Sequence, residues 1–143
     1  MRQELYFAYG SNMDLRQMNT RVPNHYQVIG AGNLDSYEWF INNRGYANIA
    51  RKQDTNVYGV LFNISRTGLH NLDRYEGYPN LYIRRRLAVN YADQILKPWV
   101  YIDINNTSMG TPRESYLELV IISAMKFKLP HQHIAHLANF LPY

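Results

Sequence analysis

The chain has 143 residues, enough for one domain with a hydrophobic core of its own and no need of stapling by disulfides or metals. Hydrophobic residues make up 46% and charged residues 18%, a globular composition; the absence of cysteine excludes a disulfide framework, a thiolate nucleophile and a cysteine-type zinc site. The formal charge of +4 at pH 7 admits a nucleic-acid partner, an anionic small substrate or nothing specific.

The N-terminal Met1-Arg2-Gln3-Glu4-Leu5 leads straight into a strand-like stretch, with no basic region followed by a long apolar core, so no signal peptide is expected. No apolar run approaches the roughly 20 residues that span a bilayer. The expectation is a cytoplasmic protein with no membrane partner.

Leu5-Tyr6-Phe7-Ala8-Tyr9, closed by Gly10, reads as a buried strand, and Ser11 or Asn12 is placed to cap a short helix from Asp14 to Met18. Tyr26 to Asn42 reads as extended, with Gly30-Ala31-Gly32-Asn33 marking a bend or bulge. Arg44-Gly45-Tyr46 is a turn, Ala47 to Arg51 a further strand, and Asn56 to Ile64 the clearest strand of the chain. Ser65 is an N-cap for a helix in which Leu69, Leu72 and Tyr75 recur at helical spacing and which Gly77 closes. Tyr82 to Asn90 and Lys97 to Ile104 read as two strands around a turn at Ala92-Asp93. Thr111-Pro112-Arg113-Glu114 starts a helix running from Ser115 to about Phe127, and Pro130 begins a last helix through Phe140.

No repeat, low-complexity tract or linker interrupts this order, so residues 1–143 are expected to form a single domain. Strands first, one internal helix, more strands and closing helices define an α+β arrangement: a strongly curved mixed sheet or small β-barrel with flanking helices.

Two segments stand out chemically. At Tyr9-Gly10-Ser11-Asn12 a strand ends in Gly and small polar residues before a helix. Backbone N–H groups at such a turn are unpaired and suit a carboxylate or a developing oxyanion, although plain helix capping gives the same pattern. At Asn71-Leu72-Asp73-Arg74-Tyr75-Glu76-Gly77, Glu76 sits at a helix C-terminus, where a carboxylate is electrostatically unfavourable. Held between aromatic rings (Tyr75, Tyr78 and Tyr82 are near in sequence), it would have a raised pKa suited to proton transfer near neutral pH; the plain alternative is an exposed glutamate in a turn.

Tyr9-Gly10-Ser11-Asn12, Val57-Tyr58-Gly59-Val60 and Leu72-Asp73-x-x-Glu76-Gly77 followed by Tyr82 resemble the γ-glutamylcyclotransferase-like superfamily, which includes the plant avirulence-induced-gene proteins and the γ-glutamylamine cyclotransferases. Pro112, Tyr116 and Leu129-Pro130 before the closing helix extend the resemblance over nearly the whole chain. It implies a small β-barrel with flanking helices, and a cavity against the loop Tyr9, Gly10, Ser11 and Asn12. Glu76 is implied as the catalytic general acid/base, and Tyr82 and Tyr116 as lining the substrate pocket. It implies release of 5-oxoproline and an amine from a γ-glutamyl amide by attack of the substrate's own α-amine, without metal or other cofactor. The chain departs from the pattern in a short connection between the first two strands and at Arg44-Gly45-Tyr46-Ala47, both of which shape the pocket. Whether the loop holds the α-carboxylate or the oxyanion stays open, as do the leaving amine and the oligomeric state.

Three other features have plainer readings. His131, His133 and His136 follow Pro130 without acidic neighbours and read as structural or surface histidines. Arg84-Arg85-Arg86 puts Arg84 and Arg86 on one strand face and Arg85 on the other, the pattern of a solvated face; no nucleic-acid partner is expected. Asn105-Asn106-Thr107 matches a glycosylation sequon, with nothing to indicate secretion. The readings that compete with an enzyme are a non-catalytic module binding a small anion or metabolite in the same cavity, and a basic nucleic-acid-binding barrel.

Overall fold

The computed structural model describes residues 3–143; Met1 and Arg2, within the segment read as leaderless, lie outside the described residues. The first strand, β1 (Gln3–Ala8), is flanked on one side by the long β3 (Ala47–Ser65) and on the other by β7 (Trp99–Ile102). β2 (Tyr26–Ile41) pairs antiparallel along β3. Three short strands complete the sheet: β4 (Ile83–Arg86), β5 (Val89–Tyr91) and β6 (Gln94–Leu96). The order is β4-β7-β1-β3-β2-β5-β6, and this mixed sheet curls into a half-barrel with helices on its flanks.

The strands depart from the expected boundaries for local reasons. Ala47–Arg51 and Asn56–Ile64 belong to one strand. The register passes from Asp35↔Asn56 to Tyr37↔Arg51, so residues 52–55 loop out beside Ser36 without ending the ladder. The Thr55 hydroxyl ties this bulge to the carbonyls of Tyr37 (2.8 Å) and Lys52 (2.7 Å). The bend expected at Gly30 is a register shift between Val28 and Gly30. The region expected to hold two strands from Tyr82 to Ile104 holds four: β4 pairs with β7, and β5 and β6 form a separate hairpin about Ala92-Asp93, with Ala92 at φ 52°.

Helices also shift. Ser11–Met13 form one 3-10 turn, and the capping residue of α1 (Leu15–Arg21) is Asp14, whose carboxylate accepts from the Gln17 N–H at 3.3 Å. Ser11 and Asn12 are therefore not helix caps. α2 (Arg66–Glu76) starts as expected, with Ser65 Oγ accepting from the Gly68 N–H at 3.0 Å. It ends at Gly77, left-handed at φ 68°, with the Tyr78 N–H closing back on the Asp73 carbonyl at 2.9 Å. α3 (Tyr116–Lys126) begins after Ser115, so Pro112 precedes the helix and does not occupy its first turn. α4 (His131–Ala138) follows Pro130.

The core includes Phe7, Met18, Trp39, Leu61, Phe62, Ile64 and Leu72, with Leu117 and Val120 of α3 in the same cluster; Leu61 and Phe62 are neighbours on β3 and bury opposite faces of the sheet. Gly59 is required by close approach: a Cβ there would drive into the carbonyl oxygen of Ala8, the last residue of β1. The glycine thus lets β1 lie tight on β3 where the chain leaves for the Tyr9–Asn12 loop. Among the described residues no helix is long and apolar enough to cross a membrane.

Candidate active site

At the C-terminal end of β1 the chain turns through Tyr9 and Gly10 into the 3-10 turn. The Met13 and Asp14 amides are used by that turn, donating to Gly10 and Ser11 carbonyls at 3.1 and 2.9 Å. Among the described residues no backbone carbonyl takes the N–H of Ser11 or Asn12; the Ser11 N–H turns instead to the Tyr116 oxygen. These donors border a cavity of about 360 Å³, at the small end of the ~300–1,000 Å³ common for small-molecule sites.

Side chains hold the loop from behind. Asn12 is buried; its amide donates to Tyr6 Oη at 2.9 Å, and its oxygen accepts from Gln17 (2.9 Å) and Arg21 (3.1 Å). Gln17 also donates to Ser11 Oγ at 2.7 Å. Tyr9 donates its hydroxyl to the Tyr101 carbonyl at 2.5 Å and accepts the Trp39 indole N–H on its own carbonyl at 2.9 Å. Its side chain is a wall of the cavity, with the hydroxyl already committed.

Against the loop, two tyrosines peg one residue. The Tyr82 hydroxyl donates to the Ala47 carbonyl at 3.0 Å, and the Tyr116 oxygen accepts the Ala47 N–H at 3.2 Å. Tyr116 keeps its proton: burial raises its pKa to about 12, so it remains a donor at neutral pH. A Cβ on Gly10 would lie 3.1 Å from Tyr116 Oη and 3.3 Å from Ala47 Cβ. Glycine at this position is what lets loop, turn and α3 meet.

Glu76, the last residue of α2, lines the same cavity, partly exposed to it. Among the described residues its carboxylate has no hydrogen-bond partner. Desolvation raises its pKa to about 7, and Asp73 one turn earlier adds to the rise; Arg21 and Arg44 oppose it. Asp73 is itself tied down, by Arg84 at 2.8 and 3.0 Å and by the Tyr101 hydroxyl at 2.7 Å.

All the residues singled out in the sequence, Tyr9, Gly10, Ser11, Asn12, Glu76, Tyr82 and Tyr116, line this one cavity. Of the aromatic neighbours expected around Glu76, Tyr75 and Tyr82 line it; Tyr78 does not, because its ring packs under Arg84, 4.7 Å from the guanidinium carbon. Arg44 and Tyr46, in the stretch expected to shape the pocket, line it too, and sequence reasoning missed Arg21 and Tyr101. An arginine in the last turn of a helix, as Arg21 is, is ordinary dipole compensation and carries no local signal.

The remaining features lie elsewhere. His133 is buried against the Tyr58 ring at 5.5 Å, and His136 Nε2 meets the Trp39 carbonyl at 2.6 Å. Arg84 and Arg86 share one strand face, each 4.5 Å from the Trp99 ring centre, and Arg86 reaches Glu4 at 3.4 Å.

Residues 6–118 match the family model for γ-glutamyl cyclotransferase, AIG2-like proteins. A solved structure described as a γ-glutamyl cyclotransferase superposes with a TM-score of 0.90 at 22% identity, covering 99% of this chain and 90% of its own. An uncharacterized protein from Homo sapiens gives 0.90 and 22%, covering 100% and 90%. YkqA from Bacillus subtilis gives 0.86 and 22%, covering 97% of this chain but 54% of its own. At such identities these structures show a shared fold alone. No curated protein matches the sequence.

Proposed function

This chain belongs to the γ-glutamyl cyclotransferase, AIG2-like family, and we propose that it cleaves a γ-glutamyl amide by intramolecular aminolysis, releasing 5-oxoproline and an amine. The observation that carries the reading is Glu76: a carboxyl free of protein partners among the described residues, its pKa raised to about 7, sharing a cavity with the Ser11-Asn12 backbone and the Tyr116 hydroxyl.

The reaction asks for three things. Glu76 takes a proton from the substrate's α-ammonium, freeing the nitrogen lone pair. The nitrogen then attacks the γ-carbonyl carbon of the same molecule, a ring closure favoured by a cavity that folds the chain back on itself. As the amide C–N bond breaks, Glu76 returns that proton to the leaving nitrogen, and the second proton of the attacking nitrogen passes to the released amine, which departs as an ammonium and leaves a neutral lactam. Charge develops on the carbonyl oxygen, and preorganised donors stabilise it without reorganisation. The Asn12 amide and the Tyr116 hydroxyl are the donors available, with the Ser11 amide holding the Tyr116 oxygen in place. Tyr9, Tyr82 and the buried Asn12 side chain shape and brace the pocket through their fixed hydrogen bonds. The steps use no enzyme nucleophile, in keeping with a chain lacking cysteine.

The test is 5-oxoproline release from a panel of γ-glutamyl compounds by wild type and by Glu76→Gln. Loss of a general acid/base predicts a fall of about 10²–10⁴ in kcat/KM with the fold intact. Near-normal turnover by the variant would remove Glu76 from the chemistry. Tight ligand binding by wild type without 5-oxoproline would favour a non-catalytic binding module.

A further inference from the structure

Of the run Arg84-Arg85-Arg86, expected as a solvated face, Arg85 and Arg86 are exposed, whereas the Arg84 side chain is only 13% exposed. Arg84 belongs to β4 and is not part of the cavity wall, yet it grips the turn that carries Glu76 from both sides. Its Nε and Nη2 donate to the two oxygens of Asp73 at 2.8 and 3.0 Å, a bidentate pair. Its guanidinium carbon lies 4.7 Å from the Tyr78 ring centre and 4.5 Å from that of Trp99. Asp73 and Tyr78 are also the residues whose carbonyl and amide close the end of α2 at 2.9 Å, with Glu76 and Gly77 between them.

We propose that Arg84, acting through Asp73, is a positioning residue for Glu76: the ion pair locks the last turn of α2 and fixes the charge that stands beside the proton-transfer carboxyl. The inference rests on the reading of Glu76 as general acid/base and adds to it a residue that touches no substrate. Asp73 is the only hydrogen-bond acceptor of Arg84 among the described residues. The Tyr101 hydroxyl donates to the same carboxylate, to Oδ1 at 2.7 Å, so α2, β4 and β7 meet at this one group. Both side chains of the ion pair are 13% exposed, which sets it apart from a surface contact screened by water.

Asp73 and Glu76 are three residues apart on one helix and so are neighbours on its surface. The other groups that act on Glu76 come from every element around it. Arg21 of α1 and Arg44 of the β2–β3 turn favour the charged carboxylate. The rest are hydroxyls: Tyr6 of β1, Tyr9 after it, Tyr82 before β4, Tyr101 of β7 and Tyr116 of α3. Burial holds each of these phenols above its ordinary range, so all stay neutral when Glu76 titrates. Asp73 is the one negative charge among these groups, and it opposes ionisation of Glu76. Arg84 is not one of them, so it reaches Glu76 through Asp73, whose charge it offsets.

The two halves of the ion pair therefore act on Glu76 with opposite signs. Glu76 is titrated in substrate-free protein by the carbon-13 resonance of its side-chain carboxyl, assigned by its loss in Glu76→Gln. Asp73→Asn removes the negative charge and is expected to lower the midpoint by on the order of one pH unit. Arg84→Gln leaves the Asp73 charge without its partner and is expected to raise the midpoint by a smaller amount. Arg84→Lys, which keeps the charge, is expected to restore most of the wild-type midpoint. The pH limb of kcat/KM for 5-oxoproline release should move with the midpoint in each variant. A loss of packing alone does not send two partners of one contact in opposite directions. Shifts of the same sign in Asp73→Asn and Arg84→Gln, or no shift in either, would overturn the inference. Should Arg84→Gln not fold, Asp73→Asn decides, and a midpoint unmoved or raised there overturns it. If the shifts are opposite while wild type releases no 5-oxoproline, the cyclotransferase reading fails and the coupling of Arg84 and Asp73 to Glu76 stands.

Discussion

Glu76 concentrates the conflict between stability and chemistry in one side chain. A carboxylate at the C-terminus of a helix faces unpaired carbonyl dipoles, and here it is desolvated as well. Its pKa is raised from the usual 4.5 to about 7, so the folded state holds the proton more tightly than the unfolded chain does. The associated stability is fully present below pH 4.5 and is lost as pH rises to about 7, a change of about 3 kcal/mol in order of magnitude. Urea unfolding at pH 5 and pH 8 checks this. Wild type should lose stability across that interval relative to Glu76→Gln, which has no group to titrate there. Parallel pH dependence in the two proteins would show that Glu76 titrates in its ordinary range. At this scale the sequence was informative because an acid immediately before a C-cap glycine breaks a local electrostatic rule. Arg21 breaks none, and it becomes visible as a site residue only in three dimensions.

At the level of elements, the site depends on three segments meeting at Gly10: the loop after β1, the start of β3 at Ala47 and the start of α3 at Tyr116. A methyl at position 10 has no room without displacing the Tyr116 hydroxyl or Ala47. Gly10→Ala is therefore expected to lower kcat/KM by ~10-fold or more, in line with the cost of overpacking. In a Tyr116→Phe background, where the obstructing oxygen is gone, the added loss should be smaller. A double-mutant cycle on kcat/KM measures this, and additive effects would show that the two residues do not press on one another. The elements themselves were partly readable. Ser65, Gly77 and the turn at Arg44-Gly45-Tyr46 are where their chemistry puts them, because caps and turns are local. Pro112 misled because a helix-start residue can equally precede a helix by several positions. The polar stretch at 52–55 hid the continuity of β3 because a long bulge mimics a loop in sequence.

Over the whole molecule, the cavity draws on residues from Tyr6 to Tyr116, spread across β1, α1, the β2–β3 turn, α2, β7 and α3. Composition and element order were enough to expect a curved mixed sheet with flanking helices. They could not specify that β7 returns parallel to β1, which brings Tyr101 beneath Asp73 and beside the loop. Such pairings are non-local and carry no pattern in either strand alone. A site assembled from so many parts of one core should vanish with that core. In a urea titration, loss of 5-oxoproline release and loss of far-ultraviolet circular dichroism are expected to share a midpoint. Activity lost well before the fold would show that the loop or the β2–β3 turn opens independently.

The central claim is that Glu76 moves a proton while the substrate's own amine attacks its γ-carbonyl. It is tested most directly by the pH dependence of 5-oxoproline release for wild type and Glu76→Gln on γ-glutamylalanine. The account predicts a kcat/KM for wild type that rises with pH through a limb near 7, the value to which burial raises Glu76. It predicts a variant slower by about 10²–10⁴ in which that limb is absent. A variant of near-normal rate with the limb intact would contradict it.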